Sequence, residues 1–166
     1  MTSPTTTPPA VLPHFINGAF VDDSDAKTTT TTSTIPVTNP ATGDTLTSVP
    51  CASSSTVDTA IQAAARAFPA WSRDFTLQAR ANRLLQFHHL VQQDTPALID
   101  LIVQENGKNR VEAAADIAKG LETVLYACSL PAAVAAGHTL RVSTQVTCQD
   151  RRVPLGVVVS IVPLYV

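Results

Sequence analysis

The chain has 166 residues, of which 45% are hydrophobic and 14% charged, with a formal net charge of −2. This length suits one domain or part of a larger one. Its Lys and Arg residues are scattered, which excludes the clustered basic surface that nucleic-acid binding requires. The longest apolar stretch, residues 153–166, contains prolines and a glycine and is too short to cross a bilayer of roughly 30 Å as a helix. We therefore expect neither a nucleic-acid nor a membrane partner.

The three cysteines, Cys51, Cys128 and Cys148, are far apart and include no CxxC pair. This pattern disfavours a disulfide framework or zinc knuckle and predicts reduced thiols that serve in packing. The first fifty residues contain a single basic residue, Lys27, and no apolar run. They therefore resemble neither a secretory signal nor a mitochondrial presequence, and we expect a cytoplasmic protein.

The N-terminal part reads as short strands between polar tracts. Residues 1–13 and 27–34 are rich in Thr, Pro and Ser; the first predicts a disordered tail and the second a mobile or strand-linking loop. An Asn-Gly pair between two short apolar runs predicts a β-hairpin at 14–22. Residues 36–49 predict a strand, a turn at 39–43 and a second strand.

From Ser53 the apolar residues recur about every 3.6 residues, which predicts helices. Four are expected, each bounded by caps, a glycine or a proline: from Ser53–Ser55 to Pro69, from Thr76, from Thr95-Pro96 to Asn106-Gly107, and from about Asn109 to Ser129 before breaks at Pro131 and Gly137. The residues expected to face inward are Val57, Ala60, Ile61, Ala64 and Phe68; then Leu77, Ala81, Leu84, Leu85, His88 and Val91; then Leu98, Leu101 and Ile102; and finally Val111, Ala115, Ala118, Leu121, Leu125 and Cys128.

Beyond the helices the pattern becomes that of strands. Polar and apolar residues alternate over 140–149, which predicts one long, half-buried strand. The continuous Val/Ile run at 157–162 is typical of a parallel strand covered on both faces. A parallel strand requires a crossover of a dozen or more residues. Because the sequence stops at Val166, either this strand pairs with an existing element or the domain it begins is missing.

The residues by themselves predict no active site. The sequence has no GxGxxG, GxxxxGK[ST], HExxH or GxSxG motif. His88 and His89 point in different directions on a helix, one toward the apolar face and one outward. Helical carboxylates at 105, 112 and 122 are expected on solvated faces, and Lys108 is expected to neutralise a helix C-terminus. We therefore predict no catalytic and no metal-binding residue.

Several segments in this order resemble the opening of an aldehyde dehydrogenase. They are residues 14–18 (HFING), 37–43 (VTNPATG), 67–71 (AFPAW) and 105–108 (ENGK). Within that family, residues 126–131 (YACSLP), 142–144 (VST) and 152–158 (RVPLGVV) are most similar to the methylmalonate-semialdehyde dehydrogenase branch.

This resemblance implies an α/β fold of which the chain is the N-terminal part: residues 14–166 would be a truncated portion of the NAD-binding domain. Residues 53–131 would form its helical part, 140–152 a hairpin used in oligomer assembly, and 156–162 the first strand of the dinucleotide-binding sheet. The family binds NAD without a GxGxxG motif. The branch oxidises short semialdehydes and transfers the acyl group to coenzyme A through a cysteine thioester. A mitochondrial location also occurs in the family.

The resemblance also implies which site residues are present. Val162, Pro163 and Leu164 match positions that line the nicotinamide side, mostly through backbone. Tyr165 stands where the family has an Asn that stabilises the oxyanion, and a phenol cannot present an amide N–H there. The nucleophilic cysteine, the general base and the adenine and phosphate sites lie downstream in the family. Cys128 and Cys148 precede that region, so we expect the 166 residues alone to be inactive.

Two alternatives remain open. The chain could be a non-catalytic assembly module, in which strand 140–149 adds to a sheet edge of a second copy or of a full-length dehydrogenase. It could also be a non-functional truncated product whose uncovered apolar surfaces promote aggregation.

The similarity ends abruptly after Pro163, which favours a truncated gene model, a retained intron or a frameshift. We expect the transcript to continue beyond codon 166 into an Asn-Phe-Pro segment, a cofactor domain and a downstream cysteine. Sequencing the full-length transcript across codon 160 checks this. A genuine stop codon after Val166, with no such segment in any frame, would contradict it.

Overall fold

The computed structural model describes residues 11–22, 33–134, 137–150 and 152–162. Within these residues, antiparallel hairpins precede and follow a layer of helices. The elements are β1 (His14–Ile16), β2 (Ala19–Val21), β3 (Thr34–Thr38), β4 (Thr45–Pro50), α1 (Ser54–Pro69), a π-helical turn (Ala70–Asp74), α2 (Leu77–Asn106), α3 (Arg110–Val134), β5 (Thr139–Arg141) and β6 (Thr147–Gln149).

The hairpin predicted at 14–22 is confirmed. Phe15 lies opposite Phe20, and their rings meet edge to face with centroids 5.3 Å apart. Asn17 and Gly18 occupy the turn with φ of 54° and 78°. Positive φ at both central residues gives the twist that two-residue hairpin turns need.

The strand, turn and strand predicted within 36–49 are also confirmed, as the antiparallel pair β3–β4. Asn39 closes the turn: its side-chain oxygen accepts from the Ala41 amide at 2.9 Å and its carbonyl from the Gly43 amide at 2.8 Å. Val11 and Leu12, in the segment predicted to be a disordered tail, lie against β4 through Ser48. The rest of that segment and most of the 27–34 loop lie outside the described residues.

Helix α1 begins as predicted, with the Ser53 hydroxyl accepting from the Thr56 amide at 3.2 Å. The predicted end of α1 at Pro69 is also confirmed, and a π-helical turn (Ala70–Asp74) follows it directly. Proline removes one helical hydrogen bond and crowds the preceding turn, and the chain responds by widening into the π-helical turn, where the Phe75 amide donates to the Ala70 carbonyl at 3.2 Å. Trp71 and Phe75 pack on each other there, with centroids 5.7 Å apart.

Residues 77–106 form one helix, so the predicted break at Thr95-Pro96 is wrong. The Thr76 cap is confirmed by the bond from the Ala79 amide to its hydroxyl, at 3.1 Å. Thr95 turns its hydroxyl back to the Val91 carbonyl at 2.9 Å and continues the helix. Packing against α3 on both sides of Pro96 outweighs the hydrogen bond that proline removes. The stripe turned inward is Ala81, Leu84, His88, Val91, Thr95, Leu98 and Ile102.

Helix α3 continues through Pro131 to Val134, so the predicted break is again wrong. Its inward face is also rotated from the predicted one: Ala113 and Ile117 are buried, whereas Val111 is 80% exposed. Leu121 and Cys128 are half-buried, as predicted, but Ala115, Ala118 and Leu125 are exposed. Apolar residues lie all round this helix, so their spacing does not select one face.

The inward face of α1 differs in the same way. Thr56 and Ala63 are its buried residues. Ala60 and Phe68 are half-buried, whereas Val57 and Ile61 remain exposed. On α2, the predicted inward residues Leu77, Leu85 and Leu101 are likewise exposed. The hydrophobic spacing on α1 and α2 therefore predicted as buried several side chains that no described element covers.

The prediction of one long strand over 140–149 is wrong. Residues 140–149 form the hairpin β5–β6 rather than one long strand, because the Val142 and Ser143 amides both donate to the Val146 carbonyl and close a turn. Every residue of this hairpin is exposed. Residues 157–162 form no ladder with any described strand, and their side chains point largely into solvent. A strand is stable only when its backbone groups find a partner.

The N-terminal hairpin β3–β4 meets the helical layer at the turn between α2 and α3. Gly107 ends α2 with φ of 80°, and its amide donates to the Val103 carbonyl at 3.1 Å. A Cβ at Gly107 would lie 2.8 Å from Cγ of Pro40, in the β3–β4 loop. Two residues on, Asn109 caps α3 by accepting from the Glu112 amide at 2.9 Å.

We expect Gly107→Ala to lower the free energy of unfolding by about 1–3 kcal/mol, because the methyl group disfavours the left-handed backbone and contacts Pro40. Urea unfolding followed by circular dichroism measures this. Gly120→Ala is the matched control: Gly120 is helical, a methyl group there would have no neighbouring atom within 4 Å, and the substitution should gain about 0.5–1 kcal/mol. Equal effects of the two substitutions would contradict the proposed constraint.

Candidate functional site

The predicted nicotinamide-side residues fall at the end of the described chain. Val162 lies outside the helices and strands and is 78% exposed. Pro163 and Leu164 lie outside the described residues, as does Tyr165, so their predicted roles stay predictions. Among the described residues, no helix or strand covers Val162.

The residues around Val162 do not by themselves form a dinucleotide site. Phosphates are held by converging backbone N–H groups at a glycine-rich turn or helix N-terminus. The described residues 152–162 instead present exposed apolar side chains around a single half-buried glycine, Gly156. Residues 152–162 therefore offer no group that would hold a phosphate or take part in hydride transfer.

The charged groups on the helices form local pairs. The Lys108 ammonium lies 2.5 Å from the Asp116 carboxylate, and both side chains are about one-fifth exposed, at 20% and 19%. Lys108 therefore connects the turn to α3. Its predicted role in neutralising the C-terminus of α2 stays a prediction. Arg110 pairs with Asp100 across the same turn. These contacts fix the α2–α3 connection.

The helical carboxylates are on solvated faces, as predicted: residues 105, 112 and 122 are all exposed. Lys119 lies 2.6 Å from Glu122, and its hydrogen bond and charge lower the pKa of the Glu122 carboxyl. An exposed pair of this kind contributes little to stability. Nothing in its surroundings points to proton transfer.

The histidines are also where the sequence predicts them: His88 is half-buried and His89 exposed. In the part of the chain that the structure describes, no three His, Cys, Asp or Glu residues are grouped as metal ligands. The His138 amide donates to the Asp150 carboxylate beside the β5–β6 hairpin, and this bond lowers the pKa of Asp150. Because the folded pKa is depressed, the contact contributes above the carboxyl's ordinary pKa and is lost as pH falls through the folded value.

All three thiols are free, as predicted. The prediction that they serve in packing is wrong for Cys51 and Cys148, which are exposed because each follows or lies in a strand with an uncovered face. Cys128 is half-buried on α3, with its sulfur 3.7 Å from the Ala81 carbonyl oxygen of α2.

A cavity of about 220 Å³ lies between the start of α2 and the end of α3, and sequence reasoning missed it. Trp71, from the π-helical turn, forms part of its wall. Its walls are almost entirely apolar, and the one charged side chain in them is Arg80. The lining residues are Trp71, Leu77, Arg80, Ala81, Leu84, Ala127, Leu130 and Pro131. The nearest sequence signal was Trp71 directly after the proline-ended helix.

None of the helices in the described ranges combines the length and apolar character needed to cross a membrane. The described residues thus offer a helical scaffold, two exposed thiols, an uncovered hairpin and one apolar cavity, without a constellation of catalytic groups.

Comparison with known proteins identifies the class. The model of the aldehyde dehydrogenase family matches residues 27–164. The chain therefore belongs to the aldehyde dehydrogenase family, and the resemblance seen in the sequence is confirmed.

Within the family, the similarity points to one branch. The chain is 38% identical over 163 residues to malonate-semialdehyde dehydrogenase 1 of Geobacillus kaustophilus; the match spans 98% of this chain and 31% of that protein. The chain thus spans about a third of the length of the curated relatives it matches.

Solved structures give the same picture. A methylmalonate-semialdehyde dehydrogenase of Oceanimonas doudoroffii is similar with a TM-score of 0.70 and 34% identity, over 80% of this chain and 25% of that one. A structure from Sinorhizobium meliloti, described as a methylmalonate-semialdehyde dehydrogenase and complexed with NAD, has a TM-score of 0.72 and 26% identity, over 82% and 26%. The helices and hairpins therefore have the arrangement of one part of the aldehyde dehydrogenase fold.

We expect two thiols to react rapidly with Ellman's reagent and the third slowly, because Cys51 and Cys148 are exposed and Cys128 packs against α2. Cys128→Ser should leave both fast phases and remove the slow one. Cys148→Ser, the matched control, should remove a fast phase. Three equally fast thiols in the folded chain would contradict the packing of α3 on α2.

Proposed function

We propose that these residues belong to an NAD-dependent dehydrogenase that oxidises a short semialdehyde, of the malonate or methylmalonate type, and transfers the acyl group to coenzyme A. The observation that carries the proposal is the 38% identity to a malonate-semialdehyde dehydrogenase along 98% of this chain. The similar structure in complex with NAD supports the cofactor. Coenzyme A rests on the resemblance to the acylating branch.

In this proposal the 166 residues supply scaffold rather than chemistry. Residues 14–166 form the N-terminal part of the NAD-binding domain. Residues 157–162 become a sheet strand when a neighbouring strand covers their exposed backbone. Val162, Pro163 and Leu164 then lie on the nicotinamide side. Because the resemblance places the nucleophilic cysteine and the general base downstream, the 166 residues alone would be inactive.

We expect the purified 166-residue chain to form no NADH from malonate semialdehyde, NAD and coenzyme A, measured by absorbance at the NADH band. A chain extended through a downstream catalytic cysteine should form NADH and an acyl-CoA, identified by mass spectrometry. NADH formation by the 166 residues alone would show that they contain the catalytic groups. It would contradict the proposal that these residues supply only scaffold. An extended chain that is active without coenzyme A would contradict the acyl-transfer step.

A second candidate is an assembly module, and the exposed β5–β6 hairpin favours it. This two-stranded sheet has both edges and both faces open in the described structure, and open edges pair readily with other strands. The chain would then dock on a second copy or on a complete dehydrogenase through residues 140–149. Co-purification with a complete dehydrogenase that is lost in Leu140→Glu but kept in Val111→Glu, an exposed control on α3, would support it. Co-purification unaffected by Leu140→Glu would argue against it.

The proposed location is the cytoplasm, although a human relative, 32% identical over 149 residues, is named as mitochondrial. Fluorescence microscopy of the tagged full-length protein checks this, and import into mitochondria would contradict it.

A further inference from the structure

We propose that the segment before β1, through Val11 and Leu12, is a strap that covers the outer edge of β4 and keeps this edge from pairing with a second copy of the chain. The structure shows the strap in place. Val11 lies beside Ser48 in parallel register, and the Leu12 amide donates to the Ser48 carbonyl at 2.9 Å. The inference concerns residues 11–51 alone and is independent of the proposed dehydrogenase function.

The hydrogen bonds of the β3–β4 hairpin show which backbone groups of β4 face outward. The Cys51 amide donates to the Ser33 carbonyl at 2.8 Å, just beyond the last pair of the ladder. Backbone groups of successive residues in an antiparallel strand point to opposite edges. Val49 and Thr47 therefore direct theirs toward β3, and Ser48 between them presents its N–H and C=O to the outer edge of β4.

The other outward positions of β4 are already protected from strand pairing. Pro50, two residues after Ser48, has no N–H to donate. Two residues before Ser48, the register of the hairpin skips Leu46, which forms a β-bulge. Prolines and bulges are both devices that prevent a further strand from joining an edge. Ser48 is the outward residue of β4 that has neither device, and the strap lies against it.

The sequence holds the strap in the form that a sheet edge accepts. Leu12 precedes Pro13, and the residue before a proline is disfavoured in the helical region and favoured in the extended one. An extended segment adds to a sheet edge through its backbone hydrogen bonds. Both side chains of the strap are about half exposed, Val11 at 55% and Leu12 at 48%. The strap therefore depends largely on backbone bonding, and its removal would uncover the edge without opening a core.

A second copy of β4 is well suited to take the place of the strap. Around Ser48 the outer edge offers one N–H and one C=O, which two antiparallel copies related by a two-fold axis can exchange. The sequence of β4, Thr45–Pro50, contains no charged side chain that would repel an identical strand. The strap occupies the same backbone groups and so competes with this dimer.

Deletion of residues 1–12 tests the strap, with self-association measured by sedimentation of the shortened and the 166-residue chains over a range of concentrations. We expect the shortened chain to associate at least about tenfold more tightly, since backbone hydrogen bonds become available to a second copy. Other exposed surfaces are common to both chains and cancel in the comparison.

A second substitution locates the association at the edge of β4. In the shortened chain, Ser48→Pro removes the outward N–H and leaves the bonds to β3 in place, so association should return to that of the 166-residue chain. Ser48→Ala is the matched control, because it keeps the N–H and should leave the shortened chain associated.

The strap can also be released without deletion. In the 166-residue chain, Leu12→Pro removes the donor to Ser48 and should strengthen association about two- to tenfold, as expected for one backbone hydrogen bond. Val11→Pro is the matched control, because successive amides alternate and that of Val11 points away from β4. Circular dichroism checks the folding of each variant. By hydrogen exchange, the Leu12 amide should be protected relative to the Val11 amide.

Three results would overturn the proposal. Equal association of the shortened and 166-residue chains would mean that the strap does not guard the edge. Association of the shortened chain that Ser48→Pro fails to reverse would place the contact elsewhere. Equal exchange of the Leu12 and Val11 amides would show that the strap is not held on β4. If the shortened chain does not fold, the comparison of Leu12→Pro with Val11→Pro decides.

Discussion

The turn between α2 and α3 is the constraint on which the described structure depends. Gly107 reverses the chain with a left-handed backbone, and the two long helices then pack side by side along their small and medium side chains. Lys108 holds α3 through Asp116, and Arg110 returns to Asp100 on α2. The proline-containing β3–β4 loop fits against Gly107 because that residue has no side chain. One turn thus sets the helix pair and its contact with the N-terminal hairpins.

This arrangement gives a physical account of two segments that carry the family resemblance. The Asn-Pro-Ala-Thr-Gly loop and the Glu-Asn-Gly-Lys turn are far apart in sequence but meet at Pro40 and Gly107. Each residue type has a task there. Asn39 closes its own loop, Gly107 provides the left-handed cap and the space for Pro40, and Lys108 reaches Asp116. These segments are required for the architecture, and neither contains a reactive group that the structure places in a cavity.

Local sequence signals predicted local structure well. The Asn17-Gly18 hairpin, the Ser53 and Thr76 caps and the Gly107 stop all depend on interactions within a few residues, and all are confirmed.

The predictions that failed depend on distant contacts. Pro96 and Pro131 stay within helices because α2 and α3 support each other through tertiary packing, which no local pattern contains. The inward face of α3 was misjudged because apolar residues surround it. The 157–162 run was predicted as a covered strand from its composition, yet covering depends on a partner. The cavity beside Arg80 escaped prediction because its walls come from α2, α3 and the π-helical turn, which are far apart in sequence.

The pairing of the described elements has a consequence for how the chain acquires its structure. β1 pairs with β2, β3 with β4, α2 with α3 and β5 with β6, so each main partner is the next element along the chain. Contacts between sequence neighbours close small loops and form quickly. Each pair can therefore assemble as it leaves the ribosome, in order from the N-terminus, without waiting for residues synthesised later.

The apolar run at 157–162 is the exception, because it pairs with none of the described strands. Its ordering therefore depends on an element other than its neighbours along the described chain, and an unpaired apolar run of this kind is a place where association can begin.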